Sequence, residues 1–238
     1  MPSPKPPAPP PPGNRLLALL PPAEYRRLEP LLKPVPLPAR AVLHKAHEPP
    51  RYAYFPTAGV ASAVALMEGG GAIEVANIGS EGVVGPASYL GLPSSPNEVF
   101  MQVAGAGLRA DAGALVREAG RAGPLRDVLA GYHAFFLFQV SQSVACNGLH
   151  TVGPRCCRWL LMTHDRVAGD GLPLTHEFLA MMLGVRRASV TLVLQPLQEA
   201  GLVGIGRGAI TVLDRRGLEV AACECYQKVR DEYARLLG

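Results

Sequence analysis

Arg186 and Arg187 stand side by side in a stretch, Gly184 to Leu194, that contains no acidic residue. Ala188, Thr191, Leu192 and Gln195 follow at a spacing that would share one face of a helix, with Arg187 and Ser189 flanking it. Arginine can hold the O6 and N7 atoms of guanine with two parallel hydrogen bonds, and alanine, leucine or a threonine methyl can meet a thymine methyl. Arg187 and Ser189 would also sit at the helix N-terminus, where free N–H groups and the dipole favour a phosphate. The chemistry these residues can do is recognition of a nucleic acid.

Other reactive groups make a weaker pattern. The five cysteines are Cys146, Cys156, Cys157, Cys223 and Cys225. With His150 and His164 they raise a metal or thiol reading, but neither Cys156-Cys157 nor Cys223-x-Cys225 has the Cys-x2-4-Cys spacing of structural zinc sites. No metal and no cofactor is expected, and reduced thiols are the default. His44 and His47 read as surface residues, with haem ligation a remote option. Glu24, Glu68 and Asp127 form no pair suited to acid–base work, and there is no phosphate loop or nucleophile elbow. An enzyme is not expected.

The elements that must position the arginines are legible around them. Thr175 is a candidate N-cap, with Leu174 and Leu179 as a hydrophobic staple and Glu177 in the first turn. Phe178, Met181, Met182 and Val185 would form the apolar face of a first helix, which Gly184 stops. A second helix is predicted from Arg187 toward Glu199, burying Val190, Val193, Leu194 and Leu197. Pro196 should kink it or end it near Gln195. Leu202 to Ile205 and Ala209 to Leu213 then read as two strands joined by Gly-Arg-Gly, a hairpin whose tip would set Arg207 beside a DNA backbone.

Helix, glycine turn and helix also occur in ordinary all-α domains. The paired arginines, the small outward face and the basic hairpin favour DNA. The run LGVRRASVTLVLQPLQEAGLV, with THEFLAMM before it and GRGAITVLD after it, resembles the C-terminal domain of the Crp/Fnr family of bacterial transcription regulators over about Cys156 to Leu218. That resemblance implies base reading through Arg187, Ala188, Thr191 and Leu192, the face the helical spacing selects. The sequence departs from the family's cAMP receptor at two of these, with Ala188 in place of a glutamate and Leu192 in place of an arginine. A different operator is therefore implied.

Upstream, PSPKPPAPPPP (residues 2–12) denies the backbone helix and ladder hydrogen bonds and reads as an exposed tail. Short helical pieces follow in NRLLALL and PPAEYRRLEPLL, the second begun by prolines. Apolar runs at Ala41–His44, Tyr52–Phe55, Val60–Met67, Ile73–Ile78, Val99–Val103 and Leu108–Ala110 suggest a β-roll, with Gly69-Gly70-Gly71 as a hairpin tip. YFPTAGVAS and EVANIGSEGVVG resemble the cyclic-nucleotide-binding roll of the same family. The resemblance makes Gly79, Glu81, Gly82 and Asn97 a degenerate effector pocket, since Ser94 to Glu98 contains no arginine for a cyclic phosphate. An anion buried there without a cation would cost several kcal/mol, so cAMP is not the expected ligand.

A small helix is expected near Ala112 to Ala119. From Leu125 to about His150, opened by Pro124, runs the longest helical pattern, with Leu125, Val128 or Leu129, Tyr132, Phe135 or Phe136, Gln139, Ser143 and Cys146 at steps of three or four. Apolar side chains surround it at Phe135 to Phe138, so two covers are needed: the roll and the same helix of a second subunit. The plainer alternative is a core helix of a monomer. RCCRWLLMTHDRV (155–167) reads as a further helix, with Trp159 in the core, and LEVAACECYQKVRDEYARLL as one last helix.

The expected class is α+β: a jelly-roll-like β-roll, a long dimerisation helix and a C-terminal winged helix-turn-helix. The expected divisions are a disordered proline-rich tail (1–13), the roll (14–122), the dimerisation helix (123–152) and the DNA-binding domain (153–238). A length of 238 residues, 48% of them hydrophobic, supports such cores, and no run is apolar enough for a membrane span. The net charge of +4 is compatible with nucleic acid without deciding for it. Expected partners are double-stranded DNA with a palindromic operator, a second copy of the chain, and RNA polymerase should the protein activate, all in the cytoplasm. The competing reading is a ligand-binding or protein-interaction module whose winged helix touches protein.

Overall fold

The computed structural model describes residues 13–238, and the proline-rich stretch 2–12 lies outside the described residues. Two short helices, α1 (Arg15–Ala18) and α2 (Pro22–Leu28), come first. Asn14 caps α1 by accepting from the Leu17 N–H at 3.0 Å. Its amide donates to the Pro56 and Gly82 carbonyls at 2.8 and 2.9 Å. One buried side chain thus fastens the N-terminal piece to the sheet.

The roll contains β1 (Lys33–Leu37), β2 (Val42–His44), β3 (Tyr52–Leu66), β4 (Ala72–Ile78) and β5 (Glu98–Asp111), with α3 (Ala87–Leu90) between the last two strands. The sheet is antiparallel in the order β1-β5-β3-β4, and β2 also pairs with β5. The runs expected as separate strands at Tyr52–Phe55 and Val60–Met67 are one strand, and so are Val99–Val103 and Leu108–Ala110. The residues between them are bulges facing each other across the pair: the register shifts at Pro56/Ala58, Ala58/Val60 and Val60/Ala61. Gly59 takes φ +84°, and a Cβ there would meet the Val103 carbonyl oxygen at 2.6 Å. Pro34 and Pro36 hid β1, yet it lies at the end of the sheet, where a missing donor is tolerated.

His44 is buried, contrary to the surface position expected for it. Its Nε2 lies 2.7 Å from the Tyr52 carbonyl, and burial lowers its pKa. Gly85, at φ +73°, leaves the space its ring occupies.

Asp111 caps α4 (Ala112–Ala119). Then α5 (Pro124–Leu149) spans 26 residues, about 39 Å at 1.5 Å per residue. Its buried side is Leu125, Leu129, Tyr132, Phe135, Phe136, Gln139, Ser143 and Cys146. The C-terminal part comprises α6 (Val152–His164), β6 (Gly171–Leu172), α7 (His176–Leu183), α8 (Arg187–Glu199), β7 (Val203–Gly206), β8 (Ala209–Val212), α9 (Arg215–Ala221) and α10 (Cys225–Leu237). The single tail helix expected from Arg216 is two, because Ala222 is extended at ψ 155° and α10 starts afresh at Cys225. Helix α6 begins three residues before the expected start.

The roll and the C-terminal part share one hydrophobic cluster running from Leu16 through α5 and α6 to Leu237. Phe100 of β5 meets Phe178 of α7 edge to face at 6.2 Å. Trp159 of α6 is in the core as expected and donates to Glu74 of β4 at 2.8 Å. Among the described residues no helix is long and apolar enough to cross a membrane.

Candidate nucleic-acid interface

Helix α7 starts where its cap allows. Thr175 Oγ1 accepts the Phe178 N–H at 3.1 Å, and Gly184 ends the helix at φ +64°. Leu174 and Leu179 are both buried, as a staple requires. The buried stripe is Leu179, Ala180, Met182 and Leu183, turned by about one position from the stripe expected. Met181 is exposed, because the core lies on the Leu179 side and Phe178 turns toward the roll.

Helix α8 runs Arg187–Glu199 and buries Val190 and Leu194, with Val193 and Leu197 half-buried. Pro196 does not end it near Gln195; the helix continues to Glu199, and the Ala200 N–H closes onto the Pro196 carbonyl. The ring removes only its own N–H, one turn from the end, and Leu192, whose carbonyl loses that partner, is exposed to water.

The other side of α8 is open. Arg186, Arg187, Ala188, Thr191, Leu192 and Gln195 are exposed, Ser189 is half-buried, and Leu192 reaches 72% exposure. No side chain caps the first turn, which leaves the leading N–H groups to solvent. His176 Nδ1 lies 3.1 Å from Thr191 Oγ1 and joins the start of α7 to the open face. Sequence reasoning passed over His176, which has no helical-face relation to α8.

The wing has three strands in the order β6-β8-β7, one more than expected, since two-residue β6 is too short to carry a pattern. Gly206 pairs with Ala209 across a tip made of Arg207 and Gly208. Gly208 takes φ +74°, and Arg207 is exposed. Among the described residues Arg186, Arg187 and Arg207 form no ion pair.

The residues assigned to a degenerate effector pocket are divided. Glu81 is buried and held by Arg166, which offers Nε and a terminal nitrogen, each 2.8 Å from Oε1. The Gly79 N–H also donates to Glu81, at 3.1 Å. A Cβ on Gly79 would strike Arg166 at 2.7 Å, and one on Gly82 would strike the Tyr132 hydroxyl closer still. These glycines admit α5 and the α6 end against the roll. Asn97 lies apart, in the loop before β5, with its N–H on Ser95 Oγ at 3.2 Å. Glu81 and Arg166 edge a cavity of about 360 Å³ that Arg15, Tyr226, Arg230 and Tyr233 also line. Arg166, the partner that fixes Glu81, is 85 residues away in sequence and left no local signal.

Burial raises the pKa of Cys157 to about 11 and that of Cys156 further, so both stay protonated thiols. His164 belongs to a surface network, 2.9 Å from Asp170 and 2.8 Å from Arg215.

Residues 154–221 match the family model of the Crp-like helix-turn-helix domain. No curated protein matches the chain. Among solved structures, FixK2 from Bradyrhizobium japonicum is 18% identical with a TM-score of 0.67, covering 81% of this chain and 98% of its own. A regulator assigned to the crp/fnr family from Eubacterium rectale is 18% identical with a TM-score of 0.68, covering 85% and 94%. A CRP-family transcriptional regulator from Thermus thermophilus is 20% identical with a TM-score of 0.65, covering 80% and 96%. These likenesses concern the fold, and the family model concerns the domain that carries Arg187. Residues 154–221 thus carry a Crp-like helix-turn-helix domain, and the chain shares the fold of those three structures.

Proposed function

We propose that the protein binds a palindromic operator as a homodimer, reading bases through Arg187, Ala188, Thr191 and Leu192 of α8. Arg186, Ser189, Gln195, Thr175 and Arg207 would contact the backbone around them. The observation that carries this reading is the open face of α8, free of acids from Arg187 to Gln195, with its uncapped, cationic start. Thr175 Oγ1 accepts within α7 and keeps its own proton for a phosphate.

The dimer reading is supported by α5. Opposite its buried side, Ala130, Ala134, Leu137, Ser141, Val144 and Gly148 recur at alternating steps of four and three, the period of a coiled-coil seam. Leu137 is 59% and Val144 69% exposed. A second copy of α5 laid on this stripe would cover them and hold two recognition helices about one DNA turn, 34 Å, apart.

The effector domain does not bind cAMP. Glu81, the residue that would hold a ribose, is already committed to Arg166, and Ser94 to Glu98 offers no cation to a cyclic phosphate.

The test is a titration of operator DNA, selected from random sequence, at several salt concentrations. Phosphate contacts make log K fall linearly with log salt. A chain that selects no sequence, or binds with no salt dependence, would instead fit a winged helix that contacts protein. Sedimentation of the full chain should give a dimer, and calorimetry should give no heat with cAMP.

A further inference from the structure

Four side chains away from the DNA-facing surface converge where the end of α5 meets the link between α9 and α10. Cys146 and His150 are one helical turn apart, Cys223 lies in the extended link, and Cys225 opens α10. The Cys146 and Cys223 sulfurs are 3.5 Å apart, and Cys225 Sγ is 3.5 Å from His150 Nδ1. All four donor atoms lie within 4.8 Å of one another. A tetrahedral zinc ion with its usual bond lengths spaces such donors about 3.5 to 3.8 Å apart. Two edges of the tetrahedron therefore already have that length, and none of the rest needs to close by more than about 1 Å.

The surroundings suit an ion as well as the distances do. His150 Nε2 is 3.1 Å from the Glu224 carboxylate, which fixes the proton on Nε2 and turns the Nδ1 lone pair toward the thiols. A carboxylate behind a metal-binding histidine is the usual support for the ligand. Gln142 donates to Cys225 Sγ at 3.0 Å. Arg155 and Arg158 of α6 are both buried and have no carboxylate partner among the described residues; each leaves its Nε unbonded, and their charges bear on Cys146. Three thiolates and one divalent ion carry a net negative charge that would offset these buried guanidiniums. The three cysteines are buried, and four protein donors fill a tetrahedron, as in structural rather than catalytic sites.

We propose that Cys146, His150, Cys223 and Cys225 form a structural site for one tetrahedral divalent ion, zinc by its ligands, that clamps the end of α5 to the start of α10. Spacing along the chain does not reveal this set, because one half is a Cys-x3-His pair at the end of α5 and the other half depends on the break after α9. The site is independent of how α8 reads DNA.

The test uses the full chain purified without chelators, with elemental analysis and, after exchange, cobalt spectroscopy. About one zinc per chain is expected, and cobalt should give tetrahedral visible bands with thiolate-to-metal charge transfer. Cys146→Ser and Cys223→Ser should each lower the retained metal several-fold, while Cys156→Ser, a buried thiol outside the set, should keep it. Should the serine variants fail to fold, His150→Cys carries the test: it supplies a fourth thiolate, and must keep the ion with stronger charge-transfer absorption. A reduced chain that takes up neither zinc nor cobalt overturns the proposal. So does metal retained with an unchanged spectrum in the folded serine variants. A Cys146–Cys223 disulfide whose reduction restores no metal binding would also overturn it, and would identify a redox pair.

Discussion

Arg166 and Arg187 carry the same charge 21 positions apart and are used in opposite ways. Arg166 is enclosed and spends its donors on Glu81 and the Met162 carbonyl. Arg187 stands in water at the start of α8 with no acid beside it. The first arrangement leaves no charge over for a ligand, and the second leaves all of it. A buried, paired cation serves the fold, whereas an exposed, unpaired one on a built face is available to a polyanion.

The contrast breaks most visibly at the buried pair. Arg166→Met leaves the Glu81 carboxylate enclosed without its cation, an arrangement that costs about 3 to 5 kcal/mol. Urea unfolding should show that loss, while the fraction still folded binds operator as before. A variant with undiminished stability would mean that Glu81 reaches water and that the pair is ornamental.

A second, half-buried group sharpens the comparison through pH. Burial raises the pKa of Glu74 to about 7, against the donors Ser62 and Trp159. Ser62 Oγ lies 2.6 Å from both Glu74 and Gln102 and has one proton to give. A protonated Glu74 that donates to Ser62, which then donates to Gln102, satisfies all three. Between pH 4.5 and about 7 the folded chain therefore holds a proton that the unfolded chain has released. Stability should fall as pH rises through that window, by no more than about 3 kcal/mol. Glu74→Gln should flatten the dependence and leave the variant the more stable protein at pH 8. Trp159, the one tryptophan, should report the same titration in its emission.

These long-range pairs were the least legible part of the sequence. The cap at Thr175, the stop at Gly184 and the stripe on α8 follow from neighbours within one or two turns, so periodicity alone located them. The contacts Glu81–Arg166, Trp159–Glu74, Cys146–Cys223 and His150–Cys225 join residues 75 to 85 positions apart, and no local spacing encodes them. The roll lies between these cases: its apolar runs were visible, but Pro56 and Gly59 read as breaks where the chain makes bulges within one strand. The open face of α8 was legible because exposure there follows from the helix alone.

Arg187→Ala should cost about 1 to 3 kcal/mol on the selected operator and relax the preference at one base pair, with unfolding unchanged. Anisotropy titrations against the operator and its single-base variants read both effects. Unchanged affinity and unchanged preference would remove α8's leading end from the reading face.

The smallest effect is expected at the wing, and it separates two kinds of unpaired cation. Arg207 occupies a two-residue hairpin tip, where the chain can set a guanidinium near a phosphate but has no helix to press it into a groove. A phosphate contact carries no sequence information. Arg207→Ala should therefore weaken operator and unrelated DNA alike and lower the slope of log K against log salt by about 1. The ratio of the two affinities should stay constant, unlike the Arg187 result. A loss confined to the operator would mean that the wing reads bases, and the division of labour between α8 and the hairpin would have to be redrawn.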